Sequence, residues 1–227
     1  MKKLKNFILK YFPVDKFRYK SSYSQEGEDA VLLGFYEGIK NYKGYYVDIG
    51  AHHPYRFSNT IAFYKRGWRG INIEPNPSAL KWFKWFRSKD INLNIGVGPE
   101  LGNLTYYRFN EPALNGFSEE ISNDRHEKTR YYIIDKLEIP VQPLSHVLDT
   151  YLPADQEIDF FSIDVEGFDL LVLQSNNWEK YRPKFVLVED VFSEPEFQNS
   201  PIANYLKELD YRIVAKTKRT VFFALQK

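Results

Sequence analysis

A chain of 227 residues, 43% apolar, 27% charged and 17% aromatic, is sized for one domain with its own core and is too apolar for a disordered segment. Its 31 Lys and Arg against 30 Asp and Glu leave no general field to recruit nucleic acid, so an acidic partner must be gripped locally. Zero cysteines exclude disulfides, zinc-thiolate centres and thiol nucleophiles, which suits a cytoplasmic setting.

The chain opens with "MKKLKNFILKYFP", in which Leu4, Phe7, Ile8, Tyr11 and Phe12 recur at helical spacing with lysines elsewhere on the wheel. Such a helix packs on the domain body or, as a basic amphipathic segment, lies on a membrane surface. Its apolar run is short and interrupted, and no small-residue cleavage site follows, so no secretory signal is expected. No apolar run is long enough to span a bilayer. Next, Ser24 in "SQEGEDAVL" reads as an N-cap, with Glu28 and Asp29 at the positive end of a helix. A functional role for these two acids stays open beside the capping role.

Strands are predicted at Tyr45 to Asp48, Gly70 to Glu74, Ile91 to Ile95, Asp159 to Asp164, Phe185 to Glu189, Arg212 to Ala215 and Thr220 to Leu225. Helix-sized intervals separate the first five, which predicts right-handed crossovers and a parallel sheet covered on both faces. Only "KTKR" separates the last two, so they should form an antiparallel hairpin. The expected fold is therefore α/β, a mostly parallel seven-stranded sheet with helices on both faces and a C-terminal hairpin. Residues 1–227 read as a single domain, with an N-terminal helical segment over 1–43. Residues 101–151 fit the alternation worst and read as an irregular substrate-side insertion with a short hairpin around "LTYYRF" and loops covering a site.

In an open parallel sheet, ligands bind beyond the carboxyl ends of the strands. Strand one runs there into Asp48 and Gly50, and strand two into "NIEPNP" with Glu74. A carboxylate at the second position offers two acceptor oxygens to the vicinal hydroxyls of a ribose, although Glu74 could equally cap the turn that follows it. The G-x-G-x-x-G loop that admits a dinucleotide pyrophosphate is missing. "DIGAHHPYRFS" has one glycine and supplies an acid and polar side chains, which suits the cationic amino-acid tail of S-adenosylmethionine.

Five stretches carry a family resemblance: "SQEGEDAVL" (24–32), "YVDIGAHHPYRFSNT" (46–60), "GWRGINIEPNP" (67–77), "IPVQPLSHVLD" (139–149) and "DFFSIDVEGFDLLVL" (159–173). In this order, over roughly residues 21–192, they resemble the signature blocks of the FkbM family of methyltransferases. The resemblance implies a class I, Rossmann-like fold, S-adenosylmethionine as cofactor, and O-methylation of a sugar or polyketide-like hydroxyl. Surface-polysaccharide relatives make a sugar, carried on a nucleotide for capsule or lipopolysaccharide synthesis, the leading substrate class. Carried over by position, Asp48, Gly50 and Ser58 border the methionine moiety, Glu74 takes the ribose with Asn76 beside it, and Asn94 to Gly96 approach the adenine. Gln25 reaches the cofactor from the N-terminal helix. "HHP" departs from the pattern of many relatives, which have Asn at its first position, and leaves the role of His52 open.

Methyl transfer from a sulfonium is an in-line displacement that must also remove the acceptor's proton. Asp164 in "SIDVEG" ends strand four, with Glu166 two residues on, and "LVEDVF" places Glu189 and Asp190 at the end of strand five. Asp164 and Glu189 are the candidate bases, with Asp164 also close to the methyl. Glu166, Glu189 and Asp190 are candidate acceptor contacts. His53 is a further base candidate and acceptor contact, because imidazole titrates near neutral pH. Helix capping by Asp164, a solvated Asp190 and a histidine bonded within its loop are the structural alternatives. No metal is assigned, although the same acids suit magnesium. A nucleotide-dependent oxidoreductase and a noncatalytic S-adenosylmethionine-binding module remain as rivals, and a homo-oligomer is compatible with the sequence.

Overall fold

The computed structural model describes residues 22–190 and 196–226. The basic amphipathic helix expected near the N-terminus lies outside them. In chain order the described residues form α1 (Glu28–Phe35), β1 (Tyr45–Ile49), α2 (Ile61–Lys65), β2 (Arg69–Ile73), α3 (Pro77–Phe86), β3 (Ile91–Leu93), β4 (Gly96–Val97) and β5 (Gly102–Phe109). There follow α4 (Glu119–Lys128), β6 (Ile133–Gln142), α5 (Leu144–Tyr151), β7 (Phe160–Ile163), α6 (Asp169–Gln174), β8 (Phe185–Glu189), α7 (Pro201–Glu208), β9 (Tyr211–Lys216) and β10 (Thr220–Leu225).

The main sheet has seven strands in the order β3-β2-β1-β7-β8-β10-β9. β1 pairs in parallel with both β2 and β7, β7 with β8, and β2 with β3, whereas β10 runs antiparallel between β8 and β9. This is the seven-stranded, mostly parallel sheet that the sequence predicts, with its C-terminal hairpin. The central strands read "YYVDI", "FFSI" and "FVLVE", nearly continuous apolar runs, because both faces are covered. Alternate residues divide between two cores. Tyr46, Phe160, Leu187 and Phe222 pack with Leu32, Phe63 and Trp68 on one face. Val47, Ile49, Phe161, Ile163, Val186 and Val188 pack with Val147, Val172 and Leu206 on the other.

The strands step outward from β1 through β2 to β3 in one direction and from β7 to β8 in the other. The reversal opens a crevice at the carboxyl ends of β1 and β7, the usual ligand position in such sheets. Two polar residues buried inside the apolar runs flank Asp48 in register, Asn72 on β2 and Ser162 on β7. They share its side of the sheet because side chains alternate along a strand.

Two expectations need correction. Ser24 is not the N-cap of the first helix: Gly27 holds that position at φ 95°, and the Ser24 hydroxyl sits 3.3 Å from the Asp29 amide, which donates to it. Residues 101–151 are not irregular. β5 and β6 pair antiparallel over most of their length, and β4 joins β6 in parallel to give a second, three-stranded sheet. Between them α4 starts at Ser118, whose hydroxyl accepts from the Ile121 amide. Tyr106, Phe117, Ile139 and Val141 form this sheet's own small core, so its burial comes from pairing and not from a run of apolar sequence. Among the described residues, no helix is long and apolar enough to cross a membrane.

Candidate active site

A cavity of about 330 Å³ lies over the carboxyl ends of β1, β2, β7 and β8, lined also by residues 111–117 from the segment that joins β5 to α4. Asp48 reaches it from β1 while only 5% exposed. One of its oxygens accepts from the Thr60 hydroxyl at 2.6 Å, and Thr60 in turn accepts from Arg87 at 3.0 Å. Arg87 is fully buried against Asp90, Tyr46 and Asn72, with its guanidinium over the Tyr64 ring. Burial pushes the Asp48 pKa up, and the Thr60 hydrogen bond and the Arg87 charge oppose it, which keeps an anion affordable beneath the sheet's edge.

Gly50 closes the strand end at φ 77°, where a Cβ would stand 1.9 Å from the Asp164 carbonyl oxygen. Only glycine lets β1 and β7 approach so closely there. The amides of Gly50 and Ala51 both donate to the Ile73 carbonyl, which locks the turn to β2. Glu74, just past β2, is held by the same loop: its two oxygens accept from the His52 and Asn76 amides, each at 2.7 Å. The Tyr106 hydroxyl of β5 lies 3.5 Å away. Burial raises the Glu74 pKa to about 7, against the pull of those two amides. Glu74 therefore does cap its turn, and it also lines the cavity with lone pairs to spare.

At and beyond the ends of the neighbouring β7 and β8, Asp164, Glu166 and Glu189 each place a carboxylate oxygen within 4.8 Å of the others. Asp164 follows β7 and its amide extends the ladder to the Ile49 carbonyl at 3.1 Å. The "VEGFD" turn then reverses at Glu166, φ 53°, and Gly167, φ 99°, with Asp169 accepting from the amides of Val165 and Gly167. Enclosure by the surrounding chain, then the charges of Glu189, Glu166 and Asp169, hold the Asp164 carboxyl well above the usual range. Its outer edge opens to the cavity, so the repulsion carries most weight. Burial and the charges of Glu166 and Asp169 push Glu189 up to about 7. Glu166 is balanced by Arg125 of α4 at 2.8 Å.

The cavity thus gathers Gln25, Asp48, Gly50, Ser58, Glu74, Asp164, Glu166 and Glu189. Ser58 also accepts from the Ile61 amide at the start of α2. The remaining candidates lie outside the lining and have local partners. His53 Nδ1 accepts from the Tyr55 and Arg56 amides at 3.1 and 3.0 Å. Asn76 is the N-cap of α3, accepting from Ser78, and Asn94 donates to the carbonyls of Glu74 and Pro75 at 2.8 Å. Asp190 accepts from Ser200, the N-cap of α7. Glu28 and Asp29 are buried, and bond Thr217 and the Ser22 to Ser24 segment.

Several lining residues carry no sequence motif. His52, not His53, faces the cavity; it adopts φ 52° so that its amide meets Glu74, and burial with the Arg56 charge lowers its pKa to about 4. Arg56 grips Glu111 through two contacts of 2.8 and 3.1 Å, tying the loop after β1 to the segment that joins β5 to α4. Tyr106 arrives from β5, Phe117 from the segment before α4, and Arg219 from the hairpin turn. The polar Ser162 inside "FFSI" and Asn72 inside "GINI" were the readable signals of the buried network, whereas Arg87 in "WFRSKD" had none.

The methyltransferase FkbM domain matches residues 48–213. The chain belongs to this methyltransferase family. Its sheet order and single reversed strand are those of a class I, Rossmann-like methyltransferase fold. Among solved structures, the chain is similar to the precorrin-6Y C5,15-methyltransferase of Geobacter metallireducens GS-15, at 13% identity and TM-score 0.43, over 88% of this chain and 87% of that one. No curated protein matches the chain.

Proposed function

We propose that the protein is an S-adenosylmethionine-dependent O-methyltransferase acting on a sugar hydroxyl, in the leading case a nucleotide-linked sugar for surface polysaccharide. The observation that carries this is the gathering of two sets of acids along one cavity: Asp48 and Glu74 at the β1 and β2 ends, and Asp164, Glu166 and Glu189 at and beyond the ends of the adjacent β7 and β8. The donor set fits the cofactor. Asp48 answers the cationic groups, Glu74 offers acceptor oxygens to vicinal ribose hydroxyls, and Ile95, Val97 and Phe117 supply apolar wall for a flat base. When bound, S-adenosylmethionine supplies an electrophilic methyl on a sulfonium.

Asp164 and Glu189 then act as one proton-sharing pair, since neighbouring carboxylates resist double ionisation. The ionised member accepts the acceptor's hydroxyl proton as the carbon–oxygen bond forms and the carbon–sulfur bond breaks. Glu189, pushed up to about 7, is a stronger base than an ordinary carboxylate, and Asp164 beside it is raised in the same direction. Glu166, steadied by Arg125, and Glu189 supply acceptors for a hydroxyl-rich substrate. The cysteine-free chain and both small-molecule substrates suit a cytoplasmic setting.

Isothermal titration with S-adenosylmethionine and with NAD tests the cofactor, and binding of NAD alone overturns it. Nucleotide sugars screened for the gain of one methylene, with S-adenosylhomocysteine formed in step, test the reaction. Cofactor binding without turnover on any sugar or polyketide-like alcohol would make the protein a binding module. Turnover abolished by a chelator and restored by magnesium would reassign the three acids as metal ligands.

A further inference from the structure

Helix α3 turns one side to the body of the protein, where Ala79 and Phe83 pack with Ala51. Its other side carries Trp82, Trp85 and Phe86, which are 41%, 75% and 39% exposed. Spaced i, i+3 and i+4, they lie together, and the Phe86 ring stacks on those of Trp82 and Trp85 at 6.2 and 6.0 Å. The patch continues off the helix. Tyr55 meets Phe86 edge-on at 5.3 Å, and the Lys65 ammonium lies over the Tyr55 and Tyr23 rings at 5.3 and 4.5 Å.

Contiguous exposed aromatics of this kind mark a contact surface, and the charge around these selects its partner. From Pro77 to Lys89 the exposed side chains are Pro77, two serines, the three aromatics and Lys81, Lys84 and Lys89, with no acid among them. Cationic stems beside tryptophan and phenylalanine suit the boundary between headgroups and acyl chains, where each has an apolar body and, in Trp and Lys, a polar tip. Trp85 projects from a convex helix and does not sit in a groove, so it suits a soft medium that closes around it. Residues 1–20, which lead into Tyr23 of the patch, repeat the composition, with Asp15 the only acid among six lysines and one arginine.

We infer that the α3 face docks the protein on an anionic lipid bilayer, with Trp82, Trp85 and Phe86 entering the headgroup boundary and Lys81, Lys84 and Lys89 meeting anionic headgroups. Arg56 and Phe57 follow Tyr55 directly and line the cavity, so docking brings its rim beside the bilayer. Neither cofactor nor turnover is needed for this contact, which keeps its failure separate from that of the proposed chemistry.

The test is cosedimentation of the full chain with phosphatidylcholine vesicles with and without phosphatidylglycerol, beside K81Q/K84Q/K89Q and W82S/W85S variants whose thermal melts show them folded. The wild type should bind the anionic vesicles, with affinity falling as salt rises. The lysine variant should lose roughly fivefold per lysine, on the order of a hundredfold in all, on anionic vesicles only. The tryptophan variant should lose affinity for both compositions. No binding by the wild type, or binding that neither variant weakens, overturns the inference. So does a wild-type dimer, seen by sedimentation, that W82S/W85S dissolves, because the face would then be a protein interface.

Discussion

Glu74 offers the sharpest test of the cofactor assignment, because its two roles separate energetically. Glu74→Gln keeps the shape but replaces one acceptor oxygen with a donor, facing either the His52 or the Asn76 amide that now contacts it at 2.7 Å. Leaving that buried N–H unpaired costs about 1–3 kcal/mol. In the other direction, the rise of the Glu74 pKa from 4.5 to about 7 means that burial opposes its charge by roughly 3 kcal/mol near neutral pH, and the neutral amide relieves it. The two terms are of similar size, so the fold should keep its stability to within about 2 kcal/mol. Cofactor binding has no such compensation. Loss of a charge-assisted contact worth about 1.5–3 kcal/mol should weaken S-adenosylmethionine roughly 10- to 150-fold. Isothermal titration beside a thermal melt reads both quantities. A variant that melts normally and binds with wild-type affinity refutes the ribose contact and leaves Glu74 as the turn cap alone.

Asp164→Asn should cut turnover on the order of a hundredfold or more with cofactor affinity retained; a folded variant turning over at the wild-type rate excludes Asp164 as base. Gly50→Ala should destabilise the protein by at least about 2 kcal/mol in a denaturant titration, since its Cβ would stand 1.9 Å from the Asp164 carbonyl at a φ of 77°, and wild-type stability would contradict that close approach. Glu74 and Glu189 both have folded pKa values raised from 4.5 to about 7. Folding therefore takes up protons between those values, and the stability they contribute is fully present below 4.5 and lost as pH rises through 7. Melting of the ligand-free protein should thus show a fall across this window that is shallower in Glu189→Gln, and an identical pH dependence in the variant would count against the raised value.

The strands of the main sheet were legible because burial on both faces writes itself into sequence as runs such as "YYVDI" and "FVLVE". Asp48, Glu74, Asp164 and Glu189 were legible for a related reason: an acid at the end of such a run sits at a sheet edge, where parallel topology collects ligands. Residues 101–151 resisted reading since β5 and β6 bury one face of a small sheet, and their alternation is too broken to announce a partner. Only the folded chain decided which histidine of "AHHP" faces the cavity, as the choice rests on the positive φ that turns the His52 amide onto Glu74. Arg87 shows the same limit. It supports Asp48 through Thr60 from 27 residues further along the chain than that threonine, and hydrogen bonds across such separations follow from packing and leave no local pattern.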